Sequence, residues 1–203
     1  MFSEFENLEK IEVLSEDGMV DYYPHFLDLD QSTFLFDKIC STEKFDQNEI
    51  LLFGKSVKVP RLEAYYALNG EAYGYSGQAL TVQLFPNYLN ELRLQVQEKT
   101  NSQFNALLIN YYRDGQDSNG WHADNEKTLG EEPNIASLSL GAARRFEFKH
   151  MASGMKKNII LANGSLLHMH GQLQKHYKHQ LPKIKGLQQA RLNLTFRWVR
   201  PSV

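Results

Sequence analysis

Hydrophobic positions divide the chain into two regimes near residue 103. Before that point, apolar residues recur at helical spacing in two segments. Leu35 and Ile39 stand four apart within 30–42, with Asp30 or Ser32 placed to cap the first turn. Tyr88, Leu92 and Val96 step by four within 87–99, and Leu89 widens that stripe. In the interval, Ile50-Leu51-Leu52-Phe53-Gly54-Lys55 gives way to Val57, Val59 and Pro60, which predicts a hairpin over 50–60 with an apolar residue and a glycine near its tip. Residues 65–77, rich in Tyr and Gly, read as loop with short strands, and the acidic, aperiodic residues 1–20 read as a peripheral arm or short strand.

Beyond residue 103 the pattern is of strands alone: 104–112, 135–141, 144–150, 157–163, 165–170, 176–181 and 190–199. Ala152-Ser153-Gly154 marks a hairpin turn, and Asn163-Gly164 predicts another. Two helices followed by short strands predict a mainly β fold with N-terminal helices, a sandwich or jelly roll backed by those helices. One domain, 1–203, is expected, with residues 1–103 as an N-terminal extension and 104–203 as the β core.

Charge changes this picture in one respect. The net charge of −2 conceals a balance of −13 over residues 1–140 (10 Lys+Arg, 23 Asp+Glu) and +11 over residues 141–203 (12 against Glu147 alone). A basic C-terminal third is consistent with a polyanionic partner such as nucleic acid, or with two halves that neutralise each other across the fold. One cysteine, Cys40, permits no internal disulfide. No signal-peptide pattern opens the chain, and no apolar run approaches the roughly 20 residues of a spanning helix. A soluble, intracellular monomer that does not enter a membrane is expected.

The candidate chemistry begins with Trp121-His122-Ala123-Asp124, which follows a predicted strand and a Gly-containing loop. In extended chain, residues i and i+2 share a face, so His122 and Asp124 can address one ion. An imidazole plus a carboxylate is two thirds of the facial triad that holds non-haem Fe(II) with coordination positions left open. A third ligand should be a His from a distant strand. His150, His168, His170, His176 and His179 are available, and His179 stands out because it precedes Leu181-Pro182 and the final strand. In that strand Arg191, Asn193, Thr195 and Arg197 share one face, while Leu192, Leu194 and Phe196 fill the other. Buried arginines are costly unless paired, and a dicarboxylic acid would pair them through forked hydrogen bonds. Asn110 and Tyr112, also i and i+2, could contact the same ligand.

Asn110-x-Tyr112-x-x-Gly115, His122-x-Asp124, His179-x-Leu181-Pro182 and Arg191-x-Asn193-Leu194-Thr195-Phe196-Arg197, in this order and spacing, resemble the AlkB family of Fe(II)- and 2-oxoglutarate-dependent dioxygenases. The resemblance runs from about residue 50 to the C-terminus. It implies a double-stranded β-helix, a form of jelly roll, carrying a nucleotide-recognition lid. It implies His122, Asp124 and His179 as iron ligands and catalytic residues, and Asn110, Tyr112, Arg191, Asn193 and Arg197 as the 2-oxoglutarate site. The implied reaction consumes O2 and 2-oxoglutarate, hydroxylates an N-methyl group of the 1-methyladenine or 3-methylcytosine type, and releases formaldehyde, succinate and CO2.

Leu52-Phe53-Gly54-Lys55, Val59-Pro60-Arg61 and Tyr73-Gly74-Tyr75-Ser76-Gly77 resemble the branch that repairs double-stranded DNA. That likeness implies Phe53 as a wedge in the base stack, shaped by Leu52 and Gly54. It implies Tyr73 and Tyr75 as walls for a flipped base and Glu126 as acceptor for an exocyclic amino group. Because the chain is acidic overall, phosphate contacts are expected from local cations: Lys55, Arg61 and some of Lys149, Lys156, Lys157, Lys175, Lys178, Lys183 and Lys185. Pro60-Arg61-Leu62 and Ile135-Ala136-Ser137-Leu138-Ser139 are shared with the single-strand branch, so strand preference stays open. An RNA demethylase of the same family is one alternative. A zinc hydrolase on His122, Asp124 and His179 is another, and the Arg191/Arg197 strand speaks against it because a hydrolase needs no dicarboxylate site.

Overall fold

In a computed structural model, which describes residues 9–52, 54–68, 74–75 and 78–200, the chain opens as a hairpin, β1 (Ile11–Leu14) and β2 (Met19–Tyr23). Helix α1 (Leu29–Thr42) follows, then β3 (Glu49–Leu52), β4 (Lys55–Lys58), β5 (Leu62–Ala67) and the short β6 (Gly74–Tyr75), β7 (Gln78–Ala79) and β8 (Val82–Gln83). After α2 (Asn87–Thr100) come β9 (Ala106–Tyr112), β10 (Asn119–His122), β11 (Ile135–Gly141), β12 (Arg144–His150), β13 (Lys156–Leu161) and β14 (Leu166–His170). The one-turn α3 (Leu173–His176) leads into β15 (Tyr177–Leu181), and β16 (Arg191–Arg197) ends the described fold.

Strands β9 to β16 shuttle between two facing sheets. The major sheet has the order β1-β2-β14-β11-β16-β9-β5-β8 and the minor sheet β10-β15-β12-β13. Apart from the β12–β13 hairpin, each successive strand crosses from one sheet to the other, which makes the fold a double-stranded β-helix. The expected jelly roll is therefore present.

Alternation along β16 sorts the two faces of the major sheet. Leu192, Leu194 and Phe196 are fully buried against a cluster that includes Ile39 of α1 and Leu89, Leu92 and Val96 of α2. Burying each such side chain contributes about 1.5–3 kcal/mol, so the helices hold one face of the sheet firmly. The opposite face looks into the space between the sheets. There Arg191 lies across from Tyr112, Asn193 across from Asn110 and Ser139, and Thr195 across from Leu108 and Ser137. An apolar cluster with Val20, Ile135, Phe148, Leu167 and Met169 closes one part of this interior.

Several expectations are adjusted. Helix α1 is capped by Asp28, whose carboxylate accepts from the Gln31 amide at 2.8 Å while Gln31 answers from its side chain at 3.1 Å, so neither Asp30 nor Ser32 is the cap. Ser32 is buried and accepts from Asn163 Nδ2 at 2.7 Å. Asn163-Gly164 is not a hairpin turn, because β13 and β14 belong to different sheets. It anchors α1 instead: the Leu27 amide donates to Gly164 O, and Gly164 sits at φ 76°, where a Cβ would come 2.5 Å from Leu27 O. Residues 11–23 supply two strands to the major sheet where a peripheral arm or one short strand is expected, and the six-residue β5 runs into the start of the stretch expected as loop with short strands. Among the described residues, no helix is long and apolar enough to cross a membrane.

Asn105 fastens the end of the chain to α2 and β9. It donates to Val199 O at 2.8 Å and accepts from Val199 N at 2.7 Å, and both residues are buried. Asn105→Ala leaves those two backbone groups without partners, and urea unfolding should show a loss of about 2–4 kcal/mol.

Candidate active site

Antiparallel pairing of β10 with β15 sets His122 directly opposite His179, with ring centroids 4.3 Å apart and edge to face. Two residues on, Asp124 brings Oδ2 to 3.7 Å from His179 Nε2. One ligand atom from each of the three lies within 4.8 Å of the other two. The Asp124 amide donates to Gln174 Oε1 at 3.0 Å, which fixes the turn that aims the carboxylate. His122 Nδ1 lies 2.7 Å from Gly120 O, so the ring hydrogen goes to that carbonyl and the lone pair sits on Nε2. Phe146 stacks on His179 at 5.3 Å, and among the described residues His179 Nδ1 is a buried nitrogen with no hydrogen-bond partner.

Protonation states suit a cation. Burial by itself would raise the Asp124 carboxyl, but Arg197, His179 and His122 outweigh it and hold it at about 2. Burial, then His122, pushes His179 down to about 3. At neutral pH the site therefore offers a carboxylate and a neutral imidazole, the forms a metal takes.

The two arginines of β16 divide their work. Arg197 donates to Asp124 Oδ1 at 3.0 Å, so part of its charge is met by the protein itself. Arg191 is 1% exposed, and the acceptors it reaches, Ser139 Oγ at 2.9 Å and Asn193 Oδ1 at 2.7 Å, are neutral. Its Nε has no hydrogen-bond partner among the described residues. Burial lowers it to about 10, well above neutrality, so it remains a buried cation facing neutral groups. Tyr112 lies under it, with the Arg191 guanidinium 5.4 Å from the ring centroid. Both arginines, Asn110, Tyr112, Asn193, the His/Asp triad and Glu126 line one cavity of about 590 Å³. That donor set fits Fe(II) at the triad, and the uncompensated Arg191 fits one carboxylate of a dicarboxylic acid.

The expected substrate-side residues fare unevenly. Phe53 and Tyr73 lie outside the described residues, and only the backbones of Leu52 and Tyr75 are described, in β3 and β6. Gly54 occupies the tip of the β3–β4 hairpin at φ 77°, a left-handed position that favours glycine, and Lys55 beside it is exposed. Arg61 was expected at the phosphate backbone, and this is corrected. It is 6% exposed, paired with Glu63 at 2.9 Å and donating to Asn110 Oδ1 at 2.8 Å, because β5 carries it into the cavity wall. Trp121 lines the same cavity, with Lys156 Nζ 5.9 Å from its ring.

Four supporting residues escaped the sequence reading. Glu63 neutralises Arg61, Gln174 holds the Asp124 amide and Phe146 packs on His179. Arg144, 1% exposed, donates to Asp114 O, Asp117 O and Pro182 O, tying the loop after β9 to the loop after β15. The alternation Arg144-x-Phe146-x-Phe148 carries a signal for two of them, since it puts an arginine and two aromatics on one face of a predicted strand. Gln174 has no such signal.

Gly115 completes the junction that Arg144 ties. Its amide donates to Leu187 O, its carbonyl accepts from Ile184 N, and a Cβ here would stand 2.0 Å from Ile184 O. Gly115→Ala should displace residues 183–188, cost about 1–3 kcal/mol in thermal unfolding and speed tryptic cleavage after Lys183 and Lys185.

Comparison with known proteins agrees with this geometry. Residues 19–197 match the 2OG-Fe(II) oxygenase superfamily. The chain is 36% identical over 192 residues to the mouse protein "Alpha-ketoglutarate-dependent dioxygenase alkB homolog 3", covering 88% of this chain and 65% of that one. It therefore spans slightly less than two thirds of that relative. It is 39% identical over 162 residues to mouse "DNA oxidative demethylase ALKBH2", covering 76% of this chain and 68% of that protein. The solved structure of OsALKBH1 superposes with a TM-score of 0.63 at 17% identity, over 88% of this chain and 97% of that chain, which supports the fold. With a triad of His122, Asp124 and His179 above an uncompensated Arg191, the chain belongs to the 2OG-Fe(II) oxygenase superfamily, among its AlkB homologues.

Proposed function

We propose that this protein removes N-methyl groups oxidatively from alkylated bases of the 1-methyladenine and 3-methylcytosine type in DNA. The observation that carries the reading is one cavity with three metal-ligand side chains at one end and a buried, carboxylate-free Arg191 at the other. The name of the mouse relative, "DNA oxidative demethylase ALKBH2", supports DNA as the substrate. When bound, Fe(II) and 2-oxoglutarate supply the oxidising power for hydroxylation of the methyl group, using O2.

The chain's own residues bind, orient and exclude. His122, Asp124 and His179 hold the metal. Arg191, steadied by Asn193 and Ser139, grips one carboxylate of 2-oxoglutarate, and Arg197, Asn110 and Tyr112 complete that wall. Phe146 and Trp121 keep water from the reacting side. Glu126, two residues past Asp124, accepts from the exocyclic amino group of the base. Tyr73 and Tyr75 wall the base, and Phe53 stacks where the base has left. The nucleotide-recognition lid belongs to the N-terminal region, 1–103, and the catalytic core to 104–203, in one domain.

Phosphate contacts come from the outer face of the minor sheet. Lys149 faces Lys156 on one side and Lys178 on the other, and all three are exposed. Like charges in direct cross-strand register repel, and a polyanion relieves that repulsion. Double-stranded DNA is the preferred form, the protein acts as an intracellular monomer, and RNA is the second reading.

Conversion of 2-oxoglutarate to succinate should rise severalfold with a duplex carrying 1-methyladenine, in the presence of Fe(II), over the unmodified duplex. Greater stimulation by methylated RNA would favour the second reading, and none by any nucleic acid would remove both. Phe53→Ala should lose more activity on duplex than on single strands; equal loss would remove the wedge. Lys149→Ala should flatten the dependence of log K on log salt by about 1.

A further inference from the structure

A second His/Asp cluster lies on the opposite face of the major sheet from the cavity. His168 and His170 stand two apart on β14, and Asp21 of β2 is the cross-strand partner of His168. Leu166, two residues before His168 on β14, packs with the helices, so this face is the one away from the space between the sheets. One ligand atom from each of the three residues lies within 4.8 Å of the others, and His170 Nε2 is 3.3 Å from Asp21 Oδ2. We propose that Asp21, His168 and His170 form a second transition-metal site, of the Zn(II) class, that clips the N-terminal β1–β2 hairpin to the β core.

Four observations support a ligand site over a chance meeting of surface histidines. His168 is only 4% exposed, and the two rings stack at 4.4 Å, an arrangement that would repel if both were charged. Burial, then His170, brings His168 down to about 4, so it is a neutral imidazole at physiological pH. His168 Nε2 lies 3.2 Å from Asn134 Oδ1. A hydrogen given to that oxygen puts the lone pair on Nδ1 and fixes the ring from behind, as outer partners do for metal-bound histidines. Finally, two imidazoles and a carboxylate suit Zn(II) with a fourth position for water.

Closing the set to the bond lengths of about 2.0–2.2 Å that zinc needs takes rotation at the rim, where the His170 and Asp21 side chains are 20% and 14% exposed. Lys10, half exposed, stands 3.3 Å from Asp21 Oδ1. It competes with a metal and can swing away into water. Because β2 pairs with β14 at the edge of the core strands, a metal held by both would lock the hairpin in place.

The test titrates Zn(II) into the tag-free, metal-stripped full chain against a chromophoric chelator. Wild-type protein should bind one equivalent more than His170→Ala or Asp21→Asn, whose circular dichroism should match wild type because both positions lie at the rim. His176→Ala should bind as wild type does, and Lys10→Ala should bind the extra equivalent more tightly. The same equivalent should slow proteolytic loss of residues 1–23 in wild type and leave His170→Ala unaffected. Equal stoichiometry in wild type and His170→Ala would overturn the proposal. So would loss of the equivalent in His176→Ala, which would assign it to the other cluster, Asp17, His150 and His176.

Discussion

The ion pair between Asp124 and Arg197 joins the two halves of the site. Its partners are 5% and 7% exposed and 3.0 Å apart. Removing one member of such a pair leaves the other as an uncompensated buried charge, a cost of about 3–5 kcal/mol. The carboxylate that holds one end of the pair is also the anionic member of the metal triad. The guanidinium at the other end belongs to the strand that carries Arg191 toward the co-substrate. Bound as proposed, metal and dicarboxylate would flank this one ion pair, and either should feel the other.

Such a polar interior survives because the other face of the same sheet is so thoroughly apolar. On β16 every second residue packs against the helices, and Leu192, Leu194 and Phe196 have no exposure. The residues between them are then free to face inward as Arg, Asn, Thr and Arg. Glu63 meets Arg61 and Asp124 meets Arg197, whereas Arg144 is held by three backbone carbonyls. Arg191 likewise has neutral hydrogen-bond acceptors among the described residues, and it is where the proposed 2-oxoglutarate would bring a negative charge.

Much of this was legible in the chain itself. Helices over 30–42 and 87–99 and the strands 135–141 and 144–150 stand where periodicity puts them, because their apolar stripes decide which side is buried. The meeting of His122, Asp124 and His179 was legible because two of them share an H-x-D spacing and the third precedes Leu181-Pro182. Strand β5 was misread because Tyr65 and Tyr66 sit in a Tyr- and Gly-rich stretch, although burial on both faces gives it a central place. Arg61 looked like a surface cation, and only the pairing of β5 with β9 shows it turned inward beside Asn110. Gln174 acts through its side chain on a backbone amide 50 residues away, a contact that no local pattern encodes.

A buried cation and a metal-ligand triad in one cavity should make metal and dicarboxylate bind cooperatively. Calorimetric titration of 2-oxoglutarate into the protein, with and without Mn(II), measures that coupling. Mn(II) should tighten 2-oxoglutarate by about tenfold or more, and Arg191→Met should weaken it by about 100-fold or more in either condition. Equal affinity with and without Mn(II), or an Arg191→Met variant that binds as wild type does, would contradict this.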